Sequence, residues 1–272
     1  MKRRIDDDRF PEWRPFCDAA QRRGPDAGTW CEAWTVRDVV VHQAGNAEEL
    51  ARVLGAHLAG EPVATRGFEE REGPLRVLND ADLWGALADR MATLNEVAEA
   101  AEAIPADTDV AWTGRTMKVP WFAEHMREEL VLHGWDITGD SDGGGAFQAG
   151  LAEPWMTTHS VLAVGRPLLV KGARQLQPGE RVEARLRVDG TDDVVLDADP
   201  ERISIGFAEP QGPATLETDA AARVLLLVGA QARRPVTHPQ PRRTAGPGTG
   251  ALPARRLLNG FRRPGALRSC YR

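Results

Sequence analysis

One segment restricts the fold of this chain more than any other. Residues 36–58 repeat apolar side chains at helical spacing, between a capping-box-like pair, Thr35 and Asp38, and a plausible stop at Gly60. A stripe of this kind must be buried against other elements. The segment therefore predicts an amphipathic helix that packs inside a helical domain.

Similar patterns elsewhere in the first 140 residues predict three further helices. They cover residues 4–23, residues 79 or 80 to about 103, and residues 120–138. Pro11 and Pro15 limit the start of the first of these, whereas Pro120 suits the first turn of the last. With no strong strand signal between the helices, we predict a four-helix bundle over residues 1–140.

The second part of the chain has a different pattern. Residues 141–150, SDGGGAFQAG, are typical of a flexible connector. Beyond them a helical segment near residue 154 precedes alternating segments, RVEARLRV and DVVLDA, which are separated by the turn-like DGTD. RISIGFA and ATLET add possible strands, and DAAARVLLLVG a last helix. Residues 151–232 therefore predict a small α+β domain.

Composition limits the function classes. Residues 233–272 hold 10 arginines and no Asp or Glu, so residues 1–232 keep 24 basic and 40 acidic side chains, a charge of −16. An acidic body of this kind argues against nucleic acid or anionic membrane as its partner. Three cysteines without a CxxC pair, and an N-terminus with no apolar core, favour the cytoplasm.

The segment EELVLHGWD places two polar side chains in an apolar helix face. Glu129 and His133 share a narrow sector with Phe122 and Met126. An unpaired buried carboxylate is costly, and ligands four residues apart on a helix can share a metal ion. An intrahelical hydrogen bond or ion pair between the two is the simpler alternative.

A metal site needs more ligands from another helix. His42, at the flank of the apolar stripe of residues 36–58, is our candidate third ligand, and His125 is a possible competitor. Asp38 lies four residues before His42 and is placed to accept a hydrogen bond from its second ring nitrogen. Two histidines and one glutamate leave positions open for water or substrate.

WTVRDVVVHQAGN, followed by VPWFAEHMREELVLHGWD, resembles the mycothiol-dependent maleylpyruvate isomerase family of the DinB-like superfamily. The resemblance covers nearly all of residues 10–232. It implies a DinB-like four-helix bundle followed by an α/β domain, and a divalent metal, commonly zinc, held by His42, Glu129 and His133. It also implies mycothiol, a small thiol, as cofactor or cosubstrate that adds to a small electrophile. Isomerisation and S-transfer are both compatible with such an addition.

Two features depart from the family. Its C-terminal domain supplies a substrate-binding arginine, and Arg223 lies near the right region without a match good enough to assign that role. The Arg-, Pro- and Gly-rich residues 233–272 suit either a disordered nucleic-acid-binding arm or a shifted reading frame. A nonenzymatic metal- or ligand-binding bundle and a nucleic-acid-associated protein thus stand beside the enzyme as alternatives.

Overall fold

A computed structural model describes residues 4–31, 34–139 and 145–229. The chain divides between residues 147 and 148 into two compact units. The prediction of a helical bundle followed by an α+β part is confirmed in the elements of these units.

The first unit is built around four helices. They are α1 (Trp13–Arg23), α2 (Val36–Leu58), α4 (Asp80–Ala101) and α5 (Pro120–Thr138), with the shorter α3 (Phe68–Arg76) between α2 and α4. Helix α2 packs against α3, α4 and α5, and α1 packs along α5. The bounds predicted for α2 and α5 are confirmed. Helix α1 begins later than residue 4, because a turn in which the Phe10 amide donates to the Asp6 carbonyl precedes it.

Helix α2 begins at the predicted capping box. The amide of Asp38 donates to Oγ1 of Thr35 at 3.2 Å, and the amide of Thr35 donates to the Asp38 carboxylate at 2.9 Å. The box satisfies two backbone donors of the first turn. Its start positions every later side chain of α2, including His42, which lies two turns along.

Two elements of the first unit were not predicted. Strands β1 (Asp109–Trp112) and β2 (Arg115–Lys118) form an antiparallel hairpin between α4 and α5, so the expectation of no strand between the helices is wrong. Thr113 and Gly114 turn the hairpin with positive φ angles of 45° and 77°, as a two-residue hairpin loop requires. Helix α3 was also missed, because its first turn is acidic and it contains a proline.

Helices begin at the division between the two units, which falls within the first of them. Helix α6 (Gly145–Ala152) occupies part of the segment predicted as a connector, so that prediction is wrong for those residues. Helix α7 (Pro154–His159) and α8 (Arg166–Ala173) are joined by a π-helical turn, Ser160–Gly165. Helix α9 (Ala220–Leu227) closes the described chain.

A four-stranded sheet completes the second unit. Strands β3 (Val182–Arg187), β4 (Asp193–Ala198), β5 (Ile203–Ala208) and β6 (Leu216–Glu217) lie in the order β5-β4-β3-β6. The predicted β3–β4 hairpin is confirmed, and β6 pairs with β3 in parallel. A small core of Val161, Leu186, Val194 and Leu227 packs the sheet against helices.

Within the ranges described above, no helix is long and apolar enough to cross a membrane. The predictions for residues 233–272 lie outside the described residues, as do Cys270 and the end of the predicted second domain.

Candidate metal centre

Helices α2 and α5 bring the three predicted metal ligands together. Nε2 of His42 lies 3.2 Å from Oε2 of Glu129, and Nε2 of His133 lies 3.4 Å from the same oxygen. All three residues are buried, with at most 4% of any of them exposed. The three ligand atoms lie within 4.8 Å of one another, although the residues come from segments 87 positions apart.

The spacing of these atoms fits a metal ion. Around zinc, with bonds of about 2.0–2.1 Å and tetrahedral angles, neighbouring ligand atoms are about 3.3 Å apart. The two distances from the Glu129 oxygen bracket that value. Two imidazoles and a carboxylate are also the donors that zinc and similar divalent ions bind. The residues present therefore fit such an ion and leave room for a further ligand.

A carboxylate contacts the other ring nitrogen of each histidine. Nδ1 of His42 lies 2.9 Å from Oε1 of Glu72, and Nδ1 of His133 lies 2.9 Å from Oδ2 of Asp136. Each contact favours the tautomer with its proton on Nδ1, which leaves a lone pair on Nε2 for the metal. Paired in this way, the imidazoles are held in one orientation.

The carboxylate on His42 is not the predicted one. Asp38 was expected to orient His42, but its carboxylate accepts from Thr35 in the capping box and lies 3.4 Å from Nη1 of Arg76. Glu72 of α3 takes the position instead. Asp38 already accepts from donors at the start of its own helix. The sequence pattern did not predict α3, the helix that supplies Glu72.

Helix α3 can reach the centre because α2 has a glycine opposite it. A Cβ on Gly45 would lie 3.1 Å from Cγ of Glu72 and 3.6 Å from the carbonyl oxygen of Arg71. The charged run at residues 69–72 is therefore not all solvated surface. Glu72 and Arg71 are 2% and 7% exposed.

Aromatic rings surround the two imidazoles. The Trp34 ring lies 5.2 Å from that of His42 and stacks on His133 at 5.6 Å between centroids. Phe68, the first residue of α3, stacks on His42 at 5.7 Å. These rings exclude water from the histidines and strengthen the electrostatic interactions there.

The electrostatics of the cluster are those of a site that favours a cation. Burial of Glu129 acts against its charge, but hydrogen bonds from His133 and His42 hold the pKa of Glu129 well below its ordinary value. Burial likewise acts against protonation of His133, yet its contacts with Asp136 and Glu129 raise its pKa to about 9. Without a metal ion, a proton on His133 would balance the carboxylates; a divalent cation would replace it.

Two other residues considered in the sequence have different positions. Nε2 of His125 lies 3.7 Å from Oε1 of Glu129, whereas His42 and His133 contact Oε2 of that residue. The Arg223 guanidinium donates to the Asp192 carbonyl at 2.9 Å and to Oγ1 of Thr191 at 3.1 Å, both within the second unit. These contacts hold the Arg223 guanidinium against residues 191 and 192.

The sequence model of the mycothiol maleylpyruvate isomerase N-terminal domain matches residues 10–138. This range holds His42, Glu72, Glu129, His133 and Asp136. Residues 10–138 belong to this family. No curated protein matches the chain.

Two solved structures share the fold of this chain. One is a mycothiol-dependent maleylpyruvate isomerase, with a TM-score of 0.52, and the other is a histidine-to-alanine mutant of that enzyme, with a TM-score of 0.51. In both comparisons the identity is 18%, and the match covers 82% of this chain and 88% of the other. The likeness therefore extends beyond the N-terminal domain and concerns the fold.

Proposed function

We propose that this protein is a metal-dependent enzyme that uses mycothiol as cofactor or cosubstrate against a small electrophile. The observation that carries the proposal is the convergence of three ligand atoms, two of them on imidazoles whose other nitrogens contact carboxylates. A buried polar pair on one helix needs no such support from a second and a third helix. The family of residues 10–138 and the shared fold indicate which thiol and which class of reaction to test first.

Each residue of the centre has a distinct task in this proposal. His42 and His133 would offer neutral Nε2 atoms, while Glu72 and Asp136 hold the protons on Nδ1. Glu129 would supply the one negative ligand. A divalent ion held there lowers the pKa of a bound thiol from about 8.5 and so makes thiolate available at neutral pH.

The two described cysteines, Cys17 and Cys31, do not suit the role of nucleophile. Burial raises the pKa of Cys17 to about 12, and burial together with the charge of Asp136 raises that of Cys31 further. Neither thiol is therefore ionised at neutral pH, and thiols react as thiolates. A small external thiol supplies the reactive sulfur in this proposal.

Metal content is the first test. We would purify the full chain without chelator and measure divalent metals by mass spectrometry in the wild type, in Glu129→Gln, and in Glu124→Gln as a control on the same helix. About one equivalent of metal in the wild type and the control, lost in Glu129→Gln, is the expected result. Absence of metal from all three, even after incubation with zinc, would refute the proposal.

Thiol consumption then separates the possible reactions. With mycothiol and maleylpyruvate, isomerisation regenerates the thiol after addition, bond rotation and elimination, whereas S-transfer consumes it in proportion to product. We would follow free thiol and product together, and extend the assay to other electrophilic alkenes and epoxides. A protein that binds metal but accelerates neither process is a nonenzymatic metal-binding bundle.

A further inference from the structure

The four-stranded sheet of the second unit has one long outer strand. In the strand order β5-β4-β3-β6, the outer strands are β5, of six residues, and β6, of two. Strand β5 pairs with β4 along its whole length, from Ile203 to Ala208, without a bulge. A long edge strand with free backbone groups is a template for another strand, whereas an edge of two residues offers little to pair with.

The backbone groups of β5 that face away from β4 follow from its pairing. The amide of Asp199 donates to the carbonyl of Arg202 at 2.8 Å, so these residues form a hydrogen-bonded pair where β4 turns into β5. Hydrogen-bonded and non-hydrogen-bonded pairs alternate along an antiparallel ladder, so Ile203, Ile205 and Phe207 direct their N–H and C=O groups outward. These outward groups have no hydrogen-bond partner in the described parts of the chain.

The side chains of β5 do not protect this edge from further pairing. Its sequence, ISIGFA, contains no charged residue and no proline, the residues with which edge strands commonly block a second strand. Phe207 is 40% exposed, and Leu162, on the π-helical turn that packs against β5, is 51% exposed. Among the described residues, two of the three exposed large apolar side chains therefore lie on β5 or on the turn packed against it.

Strand β5 is complementary to itself in an antiparallel, two-fold arrangement. The axis of such a pair passes between two copies of the same residue, so the register is defined by the residue that faces itself. With Gly206 on the axis, Ile205 of each copy faces Phe207 of the other, and each of these pairs exchanges both of its backbone hydrogen bonds. Cross-strand pairs of an aromatic and a β-branched side chain stabilise a sheet.

Charge favours Gly206 over its neighbour as the residue on the axis. With Ile205 on the axis, Glu201 of one copy would come opposite Glu209 of the other. Like charges directly opposite each other destabilise a strand pair. With Gly206 on the axis, neither glutamate comes opposite a like charge. The self-complementary register is therefore the one that pairs the apolar side chains.

We infer that β5 is a self-association surface, on which a second copy of this chain pairs antiparallel with Gly206 on the two-fold axis. The inference concerns the second unit and does not depend on metal binding or on catalysis. A strand of six residues is about 20 Å long, so the interface is smaller than the area of about 1,600 Å² that is typical of a stable complex. A dissociation constant on the order of 10–100 µM is therefore expected.

The first test is the oligomeric state of the full chain. We would measure sedimentation velocity from about 1 to 500 µM, a range that spans the expected dissociation constant, on the wild type and three variants. Gly206→Lys places like charges opposite each other on the axis. Gly206→Ala is the control at the same position, where a Cβ would meet no atom within 4 Å. Val77→Lys adds the same charge in place of an apolar residue that is 84% exposed in the first unit.

Gly206→Lys should dimerise at least about tenfold more weakly than the wild type, because like charges that meet in an interface repel each other strongly. Gly206→Ala and Val77→Lys should keep the wild-type association, and circular dichroism shows whether each variant is folded. A wild type that stays monomeric over the whole range overturns the inference and leaves this edge for a strand of another protein. A dimer whose affinity is unchanged in folded Gly206→Lys overturns it as well.

Two cysteine variants test the register, and they decide the question if Gly206→Lys does not fold. Residues that face each other on the axis at Gly206 form a non-hydrogen-bonded pair with Cα atoms about 4.5 Å apart, a distance that a disulfide can span. Gly206→Cys should therefore crosslink two copies under mild oxidation. Ser204→Cys, on the same face of β5, is the matched control, because its two copies would lie about 13–14 Å apart along the ladder. Equal crosslinking of both variants, or none above the wild-type level in either, overturns the inference.

Discussion

Replacing Glu72 tests whether a residue of α3, rather than Asp38, orients the candidate metal ligand His42. Glu72 lies 2.9 Å from Nδ1 of His42 and is 2% exposed, so the contact is shielded from water. In Glu72→Gln an amide oxygen still accepts the hydrogen bond but the negative charge is gone. Loss of such an orienting carboxylate typically reduces metal affinity 10- to 100-fold, or about 1.4–2.7 kcal/mol.

Glu72→Ala should weaken the affinity more than Glu72→Gln, because it also leaves the buried Nδ1–H without its acceptor. Competition for zinc against a chromogenic chelator at fixed pH measures these affinities. Asp38→Ala is the matched control: it removes the capping-box partner at a cost of about 1 kcal/mol in folding stability and should leave zinc affinity unchanged. Wild-type affinity in both Glu72 variants, with a loss in Asp38→Ala, would show that the assignment to Glu72 is wrong.

Three further results are expected. Gly45→Ala should lower zinc affinity, because the new Cβ would lie 3.1 Å from Cγ of Glu72. Helix propensity, in contrast, favours alanine by about 1 kcal/mol. Chelator titration measures the first effect and melting of the metal-free protein the second, and unchanged zinc affinity would show that α3 adjusts freely. Chelation of zinc that was present at about 1,000 times its dissociation constant should remove about 4 kcal/mol of stability, a melting shift of roughly 8–16 °C in calorimetry; a melting curve unaffected by both chelator and zinc would contradict a preformed centre. Asp193→Asn should lower the melting temperature of the second unit more than Asp197→Asn. Asp193 is fully buried between two arginines that depress its pKa, whereas Asp197 is not fully buried. Equal shifts in melting temperature would contradict this prediction.

The long helices could be predicted from the sequence because local rules determine them. Helix α2 has a capping box at its start and an apolar face, and α5 has a proline in its first turn. Helix α3 has neither advantage. Its nine residues include five acidic or basic side chains and Pro74, so its stability comes from tertiary contacts such as the close approach at Gly45.

The same distinction applies to the candidate site. Glu129 and His133 could be recognised as a pair because they share a face of one helix, and His42 because its segment is distinctive. Asp136 could have been found as well, since it lies three residues after His133 on the same side of α5. Glu72 could not, because its contact with His42 spans 30 residues and depends on an element that the pattern did not reveal.

Helix α3 contributes none of the three convergent ligands, yet Phe68, Arg71 and Glu72 on its nine residues all face the centre or its immediate surroundings. The candidate ligands and part of their surroundings thus lie on different segments, because α2 and α5 supply the ligands while α3 places Glu72 and Phe68 beside His42. Substitutions on α3 should therefore change the affinity of the centre for a metal ion without removing a ligand. A search for variants with altered metal affinity should begin with residues 68–76.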